Sequence, residues 1–350
     1  MLPECLTSYI IFLILGAAIL IAGGEVFVRG ATRLAAFFRI PPLIIGLTVV
    51  AAATSAPELS VSLIGVLGKS PNPDIALGNV IGSNIANILL ILGTASLVRP
   101  LSVSSSLTKR EIPMMIAFSF LLWGIAFFST RTGNGAETVH TFPLSAGIFF
   151  VALLIGCNVM IVKTAQKQRS KGIADERTDR FADAAPEKAE GAGSPRGGIY
   201  GLLTAAALLA AGLFMLVYGS SMFVEQAKLI ARLCGVSELM ISLTILAIGT
   251  SLPELVVGLV AVLRGSADIA VGNVVGSNIF NLLAILGISC TAAGGLTVSN
   301  QALAYDIPIM CATAIVGGYF CVTDKTLARW EGSILFLGYI GYIAFLVARG

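Results

Sequence analysis

Apolar residues in this chain fall into long unbroken runs, not the alternating or one-faced patterns of a water-soluble fold. Ten runs are long enough to cross a bilayer as helices of about 20 residues. They lie at roughly 9–28, 38–67, 75–98, 111–129, 143–162, 198–223, 236–263, 269–293, 303–322 and 330–348. The pattern predicts an all-α polytopic membrane protein of ten transmembrane helices; barrel strands would be shorter and would alternate polar and apolar positions. One substantial polar segment, 164–197, separates the fifth run from the sixth. Its mixed charge, Ser194-Pro195, and Gly191, Gly193 and Gly197, with Gly198 at its edge, predict a linker. The expected organisation is a five-helix half over 1–163, the linker over 164–197, and a second five-helix half over 198–350.

The two halves repeat one another. Asp74–Gly93 and Asp268–Gly287 agree at 15 of 20 positions. Each copy follows an apolar run that carries a carboxylate beside a proline, Thr54-Ser-Ala-Pro-Glu58 in the first half and Thr250-Ser-Leu-Pro-Glu254 in the second. With these runs included, the repeats extend over about 42–98 and 238–293. They begin in runs two and seven, an odd number of spans apart, so one copy must cross the membrane opposite to the other. The expected architecture is two inverted-topology repeats whose polar breaks meet at the midplane, the sequence signature of a transporter's ion site.

Charge placement sets the expected orientation. Only 12% of residues are charged, about half the usual share of a soluble domain. Arg29, Arg33, Arg39, Arg99, Lys109, Arg110, Arg264, Lys325 and Arg329, with eight basic residues from Lys163 to Arg196, follow odd-numbered spans: seventeen of the 22 Lys and Arg. Lys69, Arg131, Lys228, Arg232 and Arg349 fall on the other side. The positive-inside rule then places the linker in the cytoplasm and both termini and the 130–142 loop outside, in a cytoplasmic (inner) membrane. Met1-Leu-Pro-Glu-Cys5 lacks a basic n-region, so no cleavable signal is expected. The linker's acids lack the spacing of an EF-hand loop. Five of the six cysteines lie in or beside spans without CxxC spacing and read as packing residues. His140 reads as a solvated loop residue and Glu25 with Arg29 as an interfacial pair. Glu111 and Asp306, each just before Ile-Pro, read as first-turn caps.

The chemistry concentrates in the repeats. Glu58 and Glu254 sit deep in spans two and seven, where an ionised carboxylate costs at least about 2–3 kcal/mol and marks function. Thr54 and Ser55, and likewise Thr250 and Ser251, place hydroxyls one turn from each carboxylate. Pro57 and Pro253 free the carbonyls of Ala53 and Gly249, which at membrane depth must line a cavity or bind something. Ser83 with Asn87, and Ser277 with Asn281, share a helical face four residues apart. Gly78, Gly82, Gly272 and Gly276 permit close helix packing. Asn79, Asn84, Asn273 and Asn278 are either further ligands or interhelical hydrogen bonders, and their differing angular positions favour bonding. An all-oxygen set suits hard cations; Ca2+ takes about six to eight oxygens. Two glutamates balance one Ca2+ or two Na+, so the ions can compete for one site.

The pairing of (Gly/Ala)-Thr-Ser-x-Pro-Glu with Gly-Asn-x-x-Gly-Ser-Asn-x-x-Asn, once in each half, resembles the alpha repeats of the cation/Ca2+ exchanger superfamily, and within it the prokaryotic sodium/calcium exchangers. The resemblance covers nearly the whole chain. It implies ion ligands at Thr54, Ser55, Glu58, Ser83 and Asn87 and at Thr250, Ser251, Glu254, Ser277 and Asn281, with the carbonyls of Ala51 and Ala247. It implies a central Ca2+ site between the glutamates and flanking Na+ sites. Two positions depart from the family pattern: Ala53 stands where the second half has Gly249, a mild change, and Asn281 stands where some relatives, including K+-dependent exchangers, have aspartate, which argues against K+ cotransport and removes one titratable group. The expected function is a secondary antiporter exchanging Na+ for Ca2+ by alternating access, with Ca2+ exported. The alternatives are a Ca2+/H+ antiporter of the same fold, a passive channel, and an intramembrane enzyme, for which no nucleophile–base set occurs in the spans. Expected substrates are Ca2+ and Na+ in a lipid bilayer, with no cofactor, no nucleic acid and no obligate protein partner.

Overall fold

A computed structural model describes residues 4–69, 71–132, 138–170, 198–236 and 247–349. Helix α1 spans Glu4–Phe38. The second expected span is a bent pair, α2 (Pro42–Thr54) and α3 (Ala56–Leu67), meeting at 41°. Next come α4 (Pro73–Val98), α5 (Leu107–Phe128), α6 (Leu144–Ser170) and α7 (Gly198–Leu233). The seventh expected span is described from Ala247 onward, as α8 (Ala247–Thr250) and α9 (Leu252–Leu263). Helices α10 (Ala267–Ala293), α11 (Ala302–Thr323) and α12 (Arg329–Arg349) complete the chain. Eight of the described helices are long and apolar enough to cross a membrane, nine with the bent pair. The protein is a polytopic helical membrane protein built of inverted repeats.

Several bounds differ from the hydropathy runs. Helices α1 and α7 extend ten residues past the expected ends at 28 and 223. Arg29, Thr32 and Arg33, and Glu225, Gln226 and Lys228, continue the helix once it leaves the apolar run, because hydropathy reports the bilayer and not the helix. Helix α6 continues to Ser170, seven residues into the segment expected as linker; residues 171–197 of that segment lie outside the described residues.

The most apolar windows of α4 and α10 are 78% and 94% buried within the protein, against 17–44% for the other long spans. The repeated Gly-Asn helices are therefore the centre of the molecule, and the remaining spans wrap them. Gly276 brings α10 onto α2 closely: a Cβ there would lie 2.6 Å from the Leu47 carbonyl oxygen and 2.9 Å from the Ala51 Cβ. Residues 239–243, the repeat counterparts of Leu43–Leu47, lie outside the described residues.

Short strands tie the halves together at both ends of the bundle. Strand β1 (Leu101–Ser102) pairs antiparallel with β5 (Thr326–Leu327). Strand β3 (Thr138–Pro143) pairs with both β2 (Thr130–Thr132) and β4 (Gly295–Val298). The loop after span three thus meets the loop after span nine, and the loop after span four meets the loop after span eight. Each meeting needs an even number of crossings between its partners, as ten alternating spans provide. The sheet also corrects the reading of His140. It lies in β3, registered between Thr130 and Val298, with Nδ1 3.2 Å from the Ala126 carbonyl and its ring stacked on Phe127.

Glu111 and Asp306 do not cap their helices. A π turn precedes each, Leu107–Glu111 and Ala302–Asp306, so the helix already runs through the acid, and neither side chain bonds a free N–H. Glu111 is buried and accepts from Arg110 Nε at 2.8 Å. Asp306 pairs with Arg349 at 2.8 Å. Glu25 pairs with Arg29 at 2.8 Å and also with Arg264, which joins α1 to the end of α9.

Candidate ion-binding site

Two matched breaks build the site. Ser55 (φ −83°, ψ 6°) separates α2 from α3, and Ser251 (φ −89°, ψ 6°) separates α8 from α9. In both, a proline two residues on lacks the N–H that would continue the ladder, and a glutamate follows in the first turn of the next helix. Glu58 and Glu254 are each only 1% exposed. Thr54, Ser55, Ser251, Ser83, Ser277, Asn87, Asn281 and Ala51 are buried with them, and Thr250 is partly buried. The backbone of Ala247 lies one turn before Thr250 at the start of α8.

The bends change the partners that sequence spacing suggests. The Ser55 hydroxyl donates across the two halves to Glu254 Oε1 at 3.2 Å, not to Glu58 one turn along its own chain. Ser251 lies correspondingly beside Glu58, and the two carboxylates are close enough for their charges to interact. The Thr54 hydroxyl lies 3.1 Å from the Val50 carbonyl and 3.3 Å from Asn273 Oδ1. The Ala51 carbonyl accepts the Ser55 N–H at 3.0 Å. Of the two carbonyls released by the prolines, that of Gly249 is taken by the Ser220 hydroxyl of α7 at 2.9 Å. Ser220 was invisible as a site neighbour because the corresponding residue of the first half is Gly24, so no repeated polar position marks it.

The neighbouring asparagines bond between helices, as their angles suggested. Asn79 Nδ2 donates to the Glu58 carbonyl and to Ser62 Oγ, both at 2.9 Å, and so fixes the backbone that carries the carboxylate. The second half has Gly258 where the first has Ser62, and Asn273 turns to Thr54 instead. Asn87 Nδ2 donates to Asn278 Oδ1 at 3.0 Å, and Asn281 Nδ2 donates to Asn84 Oδ1 at 3.1 Å. These two bonds exchange places under the internal repeat. Asn87 and Asn281 also open matching π turns, Asn87–Leu92 and Asn281–Ile285, a backbone form common at functional sites. Asn84 and Asn278 reach further, to the sulfurs of Met310 and Met115. Neither methionine was singled out from sequence, although both stand two residues after the proline of the repeated acid-Ile-Pro.

Among the candidate ligands, the buried oxygens without hydrogen-bond partners are Glu58 Oε1 and Oε2, Glu254 Oε2, Asn87 Oδ1, Asn281 Oδ1, Ser251 Oγ and Ser277 Oγ, to which the halves contribute about equally. Glu111 Oε2, Ser289 Oγ and Asn273 Nδ2 are also buried without a partner. No cluster of three or more His, Cys, Asp or Glu occurs among the described residues. The set therefore combines two carboxylates with neutral oxygens, chemistry that fits a hard cation and not zinc or copper.

A family model described as sodium/calcium exchanger protein matches residues 8–163 and 204–348. Inner membrane protein YrbG of Escherichia coli (strain K12) is 35% identical over 335 residues, covering 95% of this chain and 95% of its own. The sodium/calcium exchanger MaX1 of Methanosarcina acetivorans is 32% identical over 367 residues, covering 97% of this chain and 99% of its own. The solved structure of the sodium-calcium exchanger NCX_Mj soaked with 10 mM Na+ and zero Ca2+ matches with a TM-score of 0.76 at 27% identity, over 97% of this chain and 99% of that one.

Proposed function

The chain belongs to the sodium/calcium exchanger protein family, and from that premise we propose that it is a secondary antiporter exchanging Na+ for Ca2+ by alternating access. Ca2+ is the exported ion, and the inward Na+ gradient drives it. The observation that supports this reading is the set of partnerless buried oxygens to which both halves contribute. Each such acceptor costs about 1–3 kcal/mol if left unsatisfied, and more where it carries charge. A cation held between Glu58 and Glu254 satisfies most of them at once.

In this reading both carboxylates, the Asn87 and Asn281 carbonyl oxygens, and the hydroxyls of Ser83 and Ser277 surround Ca2+. Thr54, Ser55, Thr250 and Ser251, with the carbonyls of Ala51 and Ala247, complete the flanking Na+ positions. Ca2+ brings two positive charges to two carboxylates. Two Na+ bring the same charge, so each ion's arrival removes the electrostatic reason for the other to stay. The hydroxyls in both halves favour Na+ over a proton as counter-ion, because a proton needs only the carboxylates. The inverted halves supply two equivalent arrangements, one opening to each side. Seventeen basic residues following odd-numbered spans support a cytoplasmic 164–197 segment between the two halves, with both termini outside.

The test is 45Ca2+ uptake into vesicles under imposed Na+, pH and K+ gradients in turn. Uptake against an outward Na+ gradient alone supports the proposal. Uptake driven only by pH would assign the protein to cation/proton exchange, and uptake without any counter-gradient requirement or counterflow stimulation would make it a channel.

A further inference from the structure

We propose that Met115 and Met310 decide which end of each ion-site amide faces the ion, acting through Asn278 and Asn84. The inference rests on the reading that Asn87 and Asn281 are ion ligands. A thioether sulfur accepts a hydrogen bond but cannot donate one. Asn84 Nδ2 lies 3.6 Å from Met310 Sδ, and Asn278 Nδ2 lies 3.4 Å from Met115 Sδ. Each sulfur therefore claims the NH2 end of its asparagine and turns the carbonyl end away. The Asn84 carbonyl then receives Asn281 Nδ2, and the Asn278 carbonyl receives Asn87 Nδ2. Only the Oδ1 ends of Asn87 and Asn281 are left for an ion, and both of these lack donors.

All six side chains are buried, none more than 3% exposed, so water does not compete for the bonds. The polarity of each relay is fixed at its far end. Without the sulfur, Asn84 can rotate its amide by half a turn, Asn281 must follow, and an NH2 dipole then points at a cation. The relays also cross between halves. Met115 of the first half acts through Asn278 of the second on Asn87 of the first, and Met310 acts through Asn84 on Asn281. Methionine suits the task because its side chain is apolar enough for the membrane interior and still offers an acceptor.

The variants are Met310→Leu, which keeps the volume and removes the acceptor, and Asn84→Leu, each alone and combined with Asn281→Ala or Asn87→Ala. The readout is Ca2+ binding to the purified protein by calorimetry in Na+-free buffer. Met310→Leu should weaken binding about three- to fivefold, the scale of one weak hydrogen bond, and Asn84→Leu about tenfold, as outer-shell partners of metal ligands do. Neither should weaken binding further once Asn281 is alanine, whereas both losses should multiply with Asn87→Ala, which belongs to the other relay. A merely structural role would not produce that partner specificity. Unchanged binding in Met310→Leu and Asn84→Leu, or losses that multiply equally with Asn281→Ala and Asn87→Ala, would overturn the relay. Unchanged binding in Asn281→Ala and Asn87→Ala alone would instead overturn the ligand reading, and the relay with it.

Discussion

Replacing Glu58 by glutamine should move ion binding and ion-free stability in opposite directions. Both Glu58 oxygens are buried without a hydrogen-bond partner, whereas Glu254 keeps one oxygen on the Ser55 hydroxyl. A partnerless buried carboxylate opposite a second one is a liability to the fold, and an amide of the same shape relieves the repulsion between them. Relief of about 1 kcal/mol corresponds to a rise of roughly 2 °C in the melting temperature of a chain this large. Glu254→Gln should gain less, since it also weakens the Ser55 bond. With Ca2+ the sign reverses. Removing one partner of a buried charge pair costs about 3–5 kcal/mol, so Ca2+ binding should fall by about a hundred- to a few-thousand-fold. Transport by either variant should be abolished. The assay is thermal unfolding in detergent, first in chelator without Na+ and then across a Ca2+ titration, with 45Ca2+ flux on the same samples. A clearly lower ion-free melting temperature for Glu58→Gln would show that the carboxylate has a structural partner. Near-normal exchange by either variant would remove it from the ion site.

Two further predictions follow from charge. Adding K+ at fixed Na+ gradient and clamped voltage should not raise Ca2+ flux, because Asn281 offers an oxygen but no charge to offset an extra cation in a low-dielectric site; strong K+ stimulation would reveal a third charged ligand, and Asn281→Asp should strengthen cation binding. Single cysteines in a cysteine-free background should label from outside within the 130–142 loop and only after permeabilisation within 164–197; external labelling of the latter would invert the orientation.

The bilayer makes much of this fold legible. A helix must be apolar over its crossing, so the runs at 75–98, 269–293 and 303–322 locate α4, α10 and α11 to within a few residues. The duplicated motifs likewise mark the breaks at Ser55 and Ser251, where the structure joins Ser55 of one half to Glu254 of the other. Partnership is harder to read. Ser55 is near Glu58 in sequence but bonds Glu254, since the bend turns its hydroxyl toward the other half. Glu111 and Asp306 look like caps in the sequence because each precedes Ile-Pro near the start of an apolar run, while each helix begins about a turn before its acid. Strands of two to six residues joining distant loops carry no periodic signal, so the pairing of β3 with β4, and with it the setting of His140, came only from the structure. Met115 and Met310 were hidden for a different reason: an apolar residue within a span ordinarily signifies lipid or packing.

The central claim, that one oxygen cage binds Ca2+ and Na+ in competition, is tested most directly by Ca2+ binding at equilibrium as Na+ is raised at constant pH and ionic strength. Two carboxylates balance one Ca2+ or at least two Na+, so the apparent Ca2+ dissociation constant should climb with a logarithmic slope of about two or more against Na+ concentration. The slope should collapse in Glu58→Gln and Glu254→Gln. A Ca2+ affinity indifferent to Na+ and displaced only by protons would contradict the account.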